Sequence, residues 1–137
     1  DLTGGFGVDF SFMCRNFEHA VYVERQQHLC DIARHNLDLL GMHNADVECG
    51  DGVEYLHAMK SGNMVIYLDP ARRDVNGAKT YAIEDGTPDV VELCDELVEK
   101  ADAVIKKKKK PKLFCWINCD CTVDSIFNSL ESICGMA

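Results

Sequence analysis

Proline, tryptophan and long apolar runs are all scarce in this chain, with three prolines and one tryptophan among 137 residues. So little proline, set beside 47% apolar residues, excludes collagenous, proline-rich and low-complexity sequences and points to an ordinary globular protein. The longest apolar runs, such as 64–68, cover only a few residues, whereas a membrane-spanning helix needs roughly 20. No basic segment followed by an apolar one opens the chain, so a secretory leader is not expected and a cytoplasmic location is. The length suits a single domain with one hydrophobic core.

Basic residues are also few outside one stretch. The formal net charge is −9, yet six of the 14 Lys and Arg residues fall at Lys106 to Lys110 and Lys112. The remaining eight face 23 acidic residues and leave a balance of −15. A surface of that sign repels phosphate backbones, so any grip on nucleic acid needs a local patch or another domain. Eight cysteines are present, and without a leader they are expected as free thiols.

Short β-rich runs alternate with amphipathic stretches, which predicts βαβ units and a parallel sheet. Asp1-Leu2 reads as the last step of a strand whose earlier residues are absent, and Thr3 to Gly7 as a glycine-rich loop. Val8 to Phe17 is expected as a helix with Val8, Phe12 and Cys14 inward, and His19 to Glu24 as the next strand. Arg25 to Leu40 is expected as a helix burying Leu29, Ile32, Ala33, Asn36, Leu37 and Leu40, stopped by Gly41. Ala45 to Cys49 is a further strand, Val53 to Met59 a short helix, and Asn63 to Asp69 a strand apolar enough to be central. A loop over 70–86 precedes a helix from Pro88 to Ala101 that buries Val90, Val91, Cys94, Leu97 and Val98, and a strand starts at Ala103 to Ile105.

Charge and cysteine usage change together at Lys106. Residues 1–105 are therefore separated from a 106–137 tail with two readings. In one, a slipped adenine tract, which would encode lysine, puts the tail out of frame. In the other, a solvated lysine loop leads to a last strand and a helix over 122–134, completing the domain. The tail's Cys115-x3-Cys119-x-Cys121 spacing lacks the paired C-x2-C of a zinc ribbon, so no metal site is expected.

Two segments carry chemistry. In Asp1-Leu2-Thr3-Gly4-Gly5-Phe6-Gly7, glycines let backbone approach a ligand and adopt positive φ, and the following helix start offers N–H groups to a carboxylate. A dinucleotide fingerprint would need glycine or alanine where Phe10 stands, and no phosphate-binding G-x-x-x-x-G-K motif occurs. The loop thus suits a nucleoside joined to an amino acid; a glycine turn without function is the plain alternative. Glu24, 17 residues beyond Gly7, is spaced to accept both hydroxyls of a ribose, or else is a strand-end surface charge. Asp51, between Gly50 and Gly52, can accept an adenine amino group or simply form a turn. The second segment is Asp69-Pro70-Ala71-Arg72-Arg73-Asp74. Asp69 can orient or deprotonate an amine, Pro70 stiffens the turn, and the arginines can hold an anion or be solvated loop residues.

Together these residues resemble the class I S-adenosylmethionine-dependent methyltransferases, and the likeness runs in order from Asp1 to Ile105. Thr-Gly-Gly-Phe-Gly and Asp-Pro-Ala-Arg are most similar to bacterial RNA-methyltransferase-like proteins with a THUMP-like domain, related to cap guanine-N2 methyltransferases. The resemblance implies an α/β fold, a Rossmann-like doubly wound and mostly parallel sheet with its first strand truncated. It implies S-adenosyl-L-methionine held by Asp1, Thr3, Gly4, Gly5, Phe6, Gly7, Glu24, Asp51 and Gly52, and catalysis by Asp69, Pro70 and Arg72. Methyl transfer to a guanine amino group of RNA is the implied activity, with RNA recruited by domains outside this chain and neither membrane nor metal involved. The family's aromatic after Pro-Pro is missing: Ala71 and Arg72 stand there, and an arginine plane can also stack on a base. A methyltransferase of small molecules or proteins fits the charge of −9 better than RNA does, and a non-catalytic cofactor-binding module is the third reading.

Overall fold

A computed structural model describes residues 1–70 and 88–107 and the backbone of a strand at 114–117. Those residues fall in two compact units, one built around Asp1–His57 and the other around Ala58–Cys121.

In the first unit, strands β1 (Ala20–Glu24) and β2 (Ala45–Cys49) pair in parallel, with Ala20 opposite Ala45 and Glu24 opposite Cys49. Asp1 continues the ladder on the other side of β1. Its amine donates to the Val21 carbonyl at 2.8 Å and its carbonyl accepts from the Val23 N–H at 2.9 Å, the alternation of a parallel pair. The strand-end reading of Asp1-Leu2 therefore matches its bonding, and the Gly4 N–H extends it to the Val23 carbonyl at 2.8 Å.

Helix α1 (Val8–Met13) is shorter than expected and tightens into a 3-10 turn at Cys14–Asn16. Phe10 and Cys14 are its buried residues, whereas Val8 and Phe12 are exposed. The phase is set by Tyr22, whose ring meets that of Phe10 edge-on at 5.6 Å. Asn44 then ties the 3-10 turn to the start of β2, its amide donating to the carbonyls of Cys14 and Phe17 at 2.8 Å each.

Helix α2 (Gln27–Leu39) ends where Gly41 was expected to stop it. Gly41 takes φ of 68°, its N–H reaches the Asp38 carbonyl, and the Met42 N–H reaches back to Leu37 at 2.9 Å. This double bond pattern is a Schellman cap, and a glycine tolerates its left-handed backbone best. The buried stripe consists of Leu29, Cys30, Ala33 and Leu37. Ile32, Asn36 and Leu40 of the expected face are exposed instead, because the stripe centres near Cys30 and Leu40 already lies in the cap. Phe10, Cys14, Tyr22, Cys30, Ala33, Leu37 and Met42 form one core between this helix and the strands.

Helix α3 (Gly52–Ala58) follows β2. In the second unit, β3 (Val65–Leu68) pairs in parallel with β4 (Ala103–Lys106), and β5 (Phe114–Ile117) runs antiparallel to β4. Ile66, Tyr67 and Leu68 are buried, yet among the described residues β4, not β3, is the middle strand of the order β3-β4-β5. The helix expected from Pro88 is confined to α4 (Cys94–Lys100), preceded by turns. Val90 and Leu97 are buried as expected, but Val91 sits in the turn, out of helical phase, and is exposed. The loop residues 71–86 and the helix expected over 122–134 lie outside the described residues. Among the described residues no helix is long and apolar enough to cross a membrane.

The core assignment separates two leucine-like positions on one helix. Leu37→Ala should lower unfolding free energy by about 2–5 kcal/mol through the cavity it leaves, whereas Ile32→Ala should cost less than about 1 kcal/mol. Urea denaturation of both variants measures the difference.

Candidate functional site

The glycine loop between Asp1 and α1 is held from beneath and from the side. Beneath it lies Tyr22, fully buried, whose ring occupies the space a side chain on Gly4 would need: a Cβ there would sit 2.3 Å from the ring. The Tyr22 hydroxyl donates to the Gly5 carbonyl. Burial, with Glu24 nearby, raises the phenol well above its ordinary range, so it stays a neutral donor at physiological pH. At the side, Oε2 of Glu24 accepts the Gly5 N–H at 2.9 Å. Its other oxygen accepts the Gln26 N–H at 2.9 Å and the Gln26 side-chain amide at 3.4 Å.

Asp1 closes the loop's first corner, its Oδ1 accepting from the Thr3 N–H at 2.8 Å and the Thr3 hydroxyl at 3.3 Å. Gly5 and Gly7 take φ of 56° and 74°, which side-chain-bearing residues rarely adopt. Phe6, between them, is 71% exposed. Across β1, Asp51 stands just past β2 and caps α3: its Oδ1 accepts the Val53 N–H at 2.7 Å and the Glu54 N–H at 3.4 Å. Its other oxygen lies 3.9 Å from the Arg25 guanidinium, a pair exposed enough to be largely screened. Gly52 brings α3 against the first segment, since a Cβ there would lie 2.1 Å from the Leu2 carbonyl.

The first unit thus gathers Asp1, Thr3, Gly4, Gly5, Phe6, Gly7, Glu24, Asp51 and Gly52 at the carboxyl ends of parallel strands, the edge where open α/β sheets take ligands. Asp69 and Pro70 belong to the second unit, directly after β3. Asp69 is exposed and Pro70 buried, and the Asp69 carboxylate lies 3.7 Å from the Lys107 ammonium. Arg72 lies outside the described residues.

Several partners escaped the sequence reading. Tyr22 carried only the signal of a strand aromatic, Gln26 is an ordinary polar residue before a helix, and Lys107 was hidden in a run read as solvated. Cys30 and Cys49 also meet here: Cys30 donates its thiol to the Glu24 carbonyl at 3.1 Å, and the Cys49 thiol lies 4.0 Å from the Arg25 carbonyl.

The fold has known counterparts. It is similar to a protein from Porphyromonas gingivalis W83 assigned by inference as a methyltransferase, with a TM-score of 0.62 and 38% identity over 77% of this chain. That match covers 26% of the P. gingivalis protein, so this chain spans about a quarter of its length. An rRNA methylase from Streptococcus thermophilus has a TM-score of 0.56 at 12% identity, covering 96% of this chain and 66% of the methylase. A protein from Pyrococcus horikoshii, assigned by inference as an RNA methyltransferase, has a TM-score of 0.51 at 18% identity, over 77% and 47% of the two chains. The last two likenesses speak to the fold alone. No family profile and no curated protein sequence matches the chain. The architecture is α/β, of the Rossmann-like type found in methyltransferases.

Two glycines differ sharply in what they tolerate. Gly4→Ala must displace the Tyr22 ring and should destabilise by about 1–3 kcal/mol, while Gly50→Ala, with open space around it, should change stability by less than about 1 kcal/mol. Denaturant midpoints of the two variants provide the comparison. Asp51→Ala should cost about 1 kcal/mol by uncapping α3, a loss that the same denaturation assay reads without any ligand.

Proposed function

We propose that this chain carries the S-adenosylmethionine-binding core of a methyltransferase acting on RNA, with a guanine amino group as the acceptor. The observation that carries the reading is the Glu24 carboxylate tied to the Gly5 N–H at 2.9 Å, a strand-end acid joined to a glycine loop at one sheet edge. A carboxylate offers about four acceptor sites, so its three present donors leave capacity for a ribose hydroxyl, and a second would displace the longest bond, the 3.4 Å one to the Gln26 side-chain amide. The loop's positive-φ glycines let backbone approach the amino-acid end of the cofactor closely.

Each residue then has a task. Asp1, Thr3 and Gly4 to Gly7 hold the cofactor from the loop, and Glu24 accepts from its sugar. Asp51 and Gly52 lie on the adenine side, where the Asp51 carboxylate must serve the base while capping α3. When bound, the cofactor supplies an electrophilic methyl group on a sulfonium. Asp69 accepts hydrogen bonds or a proton from the acceptor amine, with Pro70 fixing the turn, and Arg72 stacks against the base. Rate acceleration in such a site comes mainly from alignment.

The RNA acceptor draws support from the names of two of the similar structures, one an rRNA methylase. The charge of −9 favours a different acceptor, a small molecule or a protein. Calorimetry on the folded chain should detect adenosylhomocysteine binding, and Glu24→Gln should weaken it about tenfold, the worth of one charge-assisted hydrogen bond. No heat from a folded sample would end the cofactor assignment. Methyl-labelled cofactor should label total RNA; label appearing only in RNA-depleted extract would retire the RNA acceptor and leave the cofactor site standing.

A further inference from the structure

Two cysteines, distant in sequence and unused by the proposed chemistry, converge beside Glu24. Strand register sets Cys49 directly opposite Glu24 at the ends of β1 and β2. Cys30, in the first turns of α2, returns over the end of β1 and donates its thiol to the Glu24 carbonyl at 3.1 Å. The Cys49 sulfur lies 4.0 Å from the next carbonyl, that of Arg25. The two sulfurs therefore address consecutive carbonyls at the end of one strand.

Their environments differ in a way that orders a reaction. Cys30 is fully buried, and Cys49 is exposed. Burial, reinforced by Cys49, pushes the Cys30 thiol up to about 11, so it stays protonated at neutral pH and hidden from solvent oxidants. An oxidant meets Cys49 first.

We propose that Cys30 and Cys49 form a redox pair that a peroxide closes to a disulfide, and that closure loosens the hold of Glu24 on the glycine loop. In the first step the Cys49 sulfur takes one oxygen from the peroxide, giving a sulfenic acid and, for hydrogen peroxide, one water. In the second, the Cys30 sulfur attacks that of Cys49; the S–O bond breaks and the leaving hydroxide takes the Cys30 proton as water. The thiols lose two electrons and two hydrogens, which the peroxide accepts.

The structural consequence follows from what Cys30 gives up. The Glu24 carbonyl loses its thiol donor and keeps only the Gly50 N–H at 3.0 Å. Drawing Cys30 toward Cys49 also pulls on the start of α2, where the Gln26 N–H holds one Glu24 oxygen at 2.9 Å. The other oxygen is the one bonded to the Gly5 N–H. Any effect on cofactor affinity rests on the function proposed above; the disulfide and the loop response do not.

The sequence makes the test clean. Trypsin cleavage after Arg25, Arg34 and Lys60 leaves Cys30 and Cys49 as the sole cysteines of peptides 26–34 and 35–60. The folded chain is treated with hydrogen peroxide near one equivalent and digested without reductant, and hydrogen exchange is followed over the glycine loop with no cofactor present. Expected are a reducible link between those two peptides and a severalfold faster exchange at residues 2–7, both abolished in Cys49→Ser, an exposed and structurally mild change. The proposal is overturned if Cys49 advances to sulfinic acid or pairs with a different cysteine while Cys30 stays free. It is equally overturned if the link forms and loop exchange does not change. Because neither readout uses adenosylhomocysteine, a failure to bind that ligand would bear on the proposed function and not on this pair.

Discussion

The glycines of the loop have no side chains with which to fix its shape, which rests on Tyr22 beneath it and Glu24 beside it. The Tyr22 ring fills the space under Gly4 and its hydroxyl meets the Gly5 carbonyl, while the Glu24 carboxylate takes the Gly5 N–H. Both residues stand on β1, and two peptide groups of that strand carry the Asp1 segment through backbone bonds. One strand thus positions the approach to the loop, its floor and its lateral tether. The remaining elements of the first unit serve to place that strand, with α2 covering one face through Cys30, Ala33 and Leu37.

Two carboxylates at this sheet edge are already engaged by backbone N–H groups. Asp51 caps α3 with one oxygen, and the charge-assisted bonds it accepts there are geometrically demanding. A ligand reaching Asp51 meets a carboxylate already oriented by a helix start, which favours recognition of a donor arriving from one side only. Glu24 is oriented in the same way by Gly5 and Gln26. Such preorganisation lowers the ordering cost of binding, because the acceptor atoms are fixed before any ligand arrives.

Similarity to known structures covers less than the fold suggests. The P. gingivalis protein shares 38% identity with this chain but is nearly four times as long as the matched part, which is 26% of it. This chain corresponds to about a quarter of that length, so the likeness speaks to the architecture of the matched part.

The sequence by itself determined the order of the elements and most of the loop. Glycine spacing placed a turn at Thr3 to Gly7, Gly41 marked the end of α2, and Ala45 to Cys49 was delimited as a strand, because local backbone preference and alternation act over a few residues. Only the tertiary structure decided which faces turn inward. Phe10 replaced Val8 and Phe12 because it meets the Tyr22 ring, and Ile32 was left outside because α2 rotates to seat Cys30 over the end of β1. Helical periodicity names a face only to within a residue or two, and its final phase is fixed by a neighbour that lies elsewhere in the chain. For the same reason no spacing rule could have joined Cys30 to Cys49 or Lys107 to Asp69: Cys30 arrives from α2 over the end of β1, beside which β2 ends at Cys49, and Asp69 and Lys107 follow the paired ends of parallel β3 and β4, a register that backbone hydrogen bonds set only once the sheet has formed.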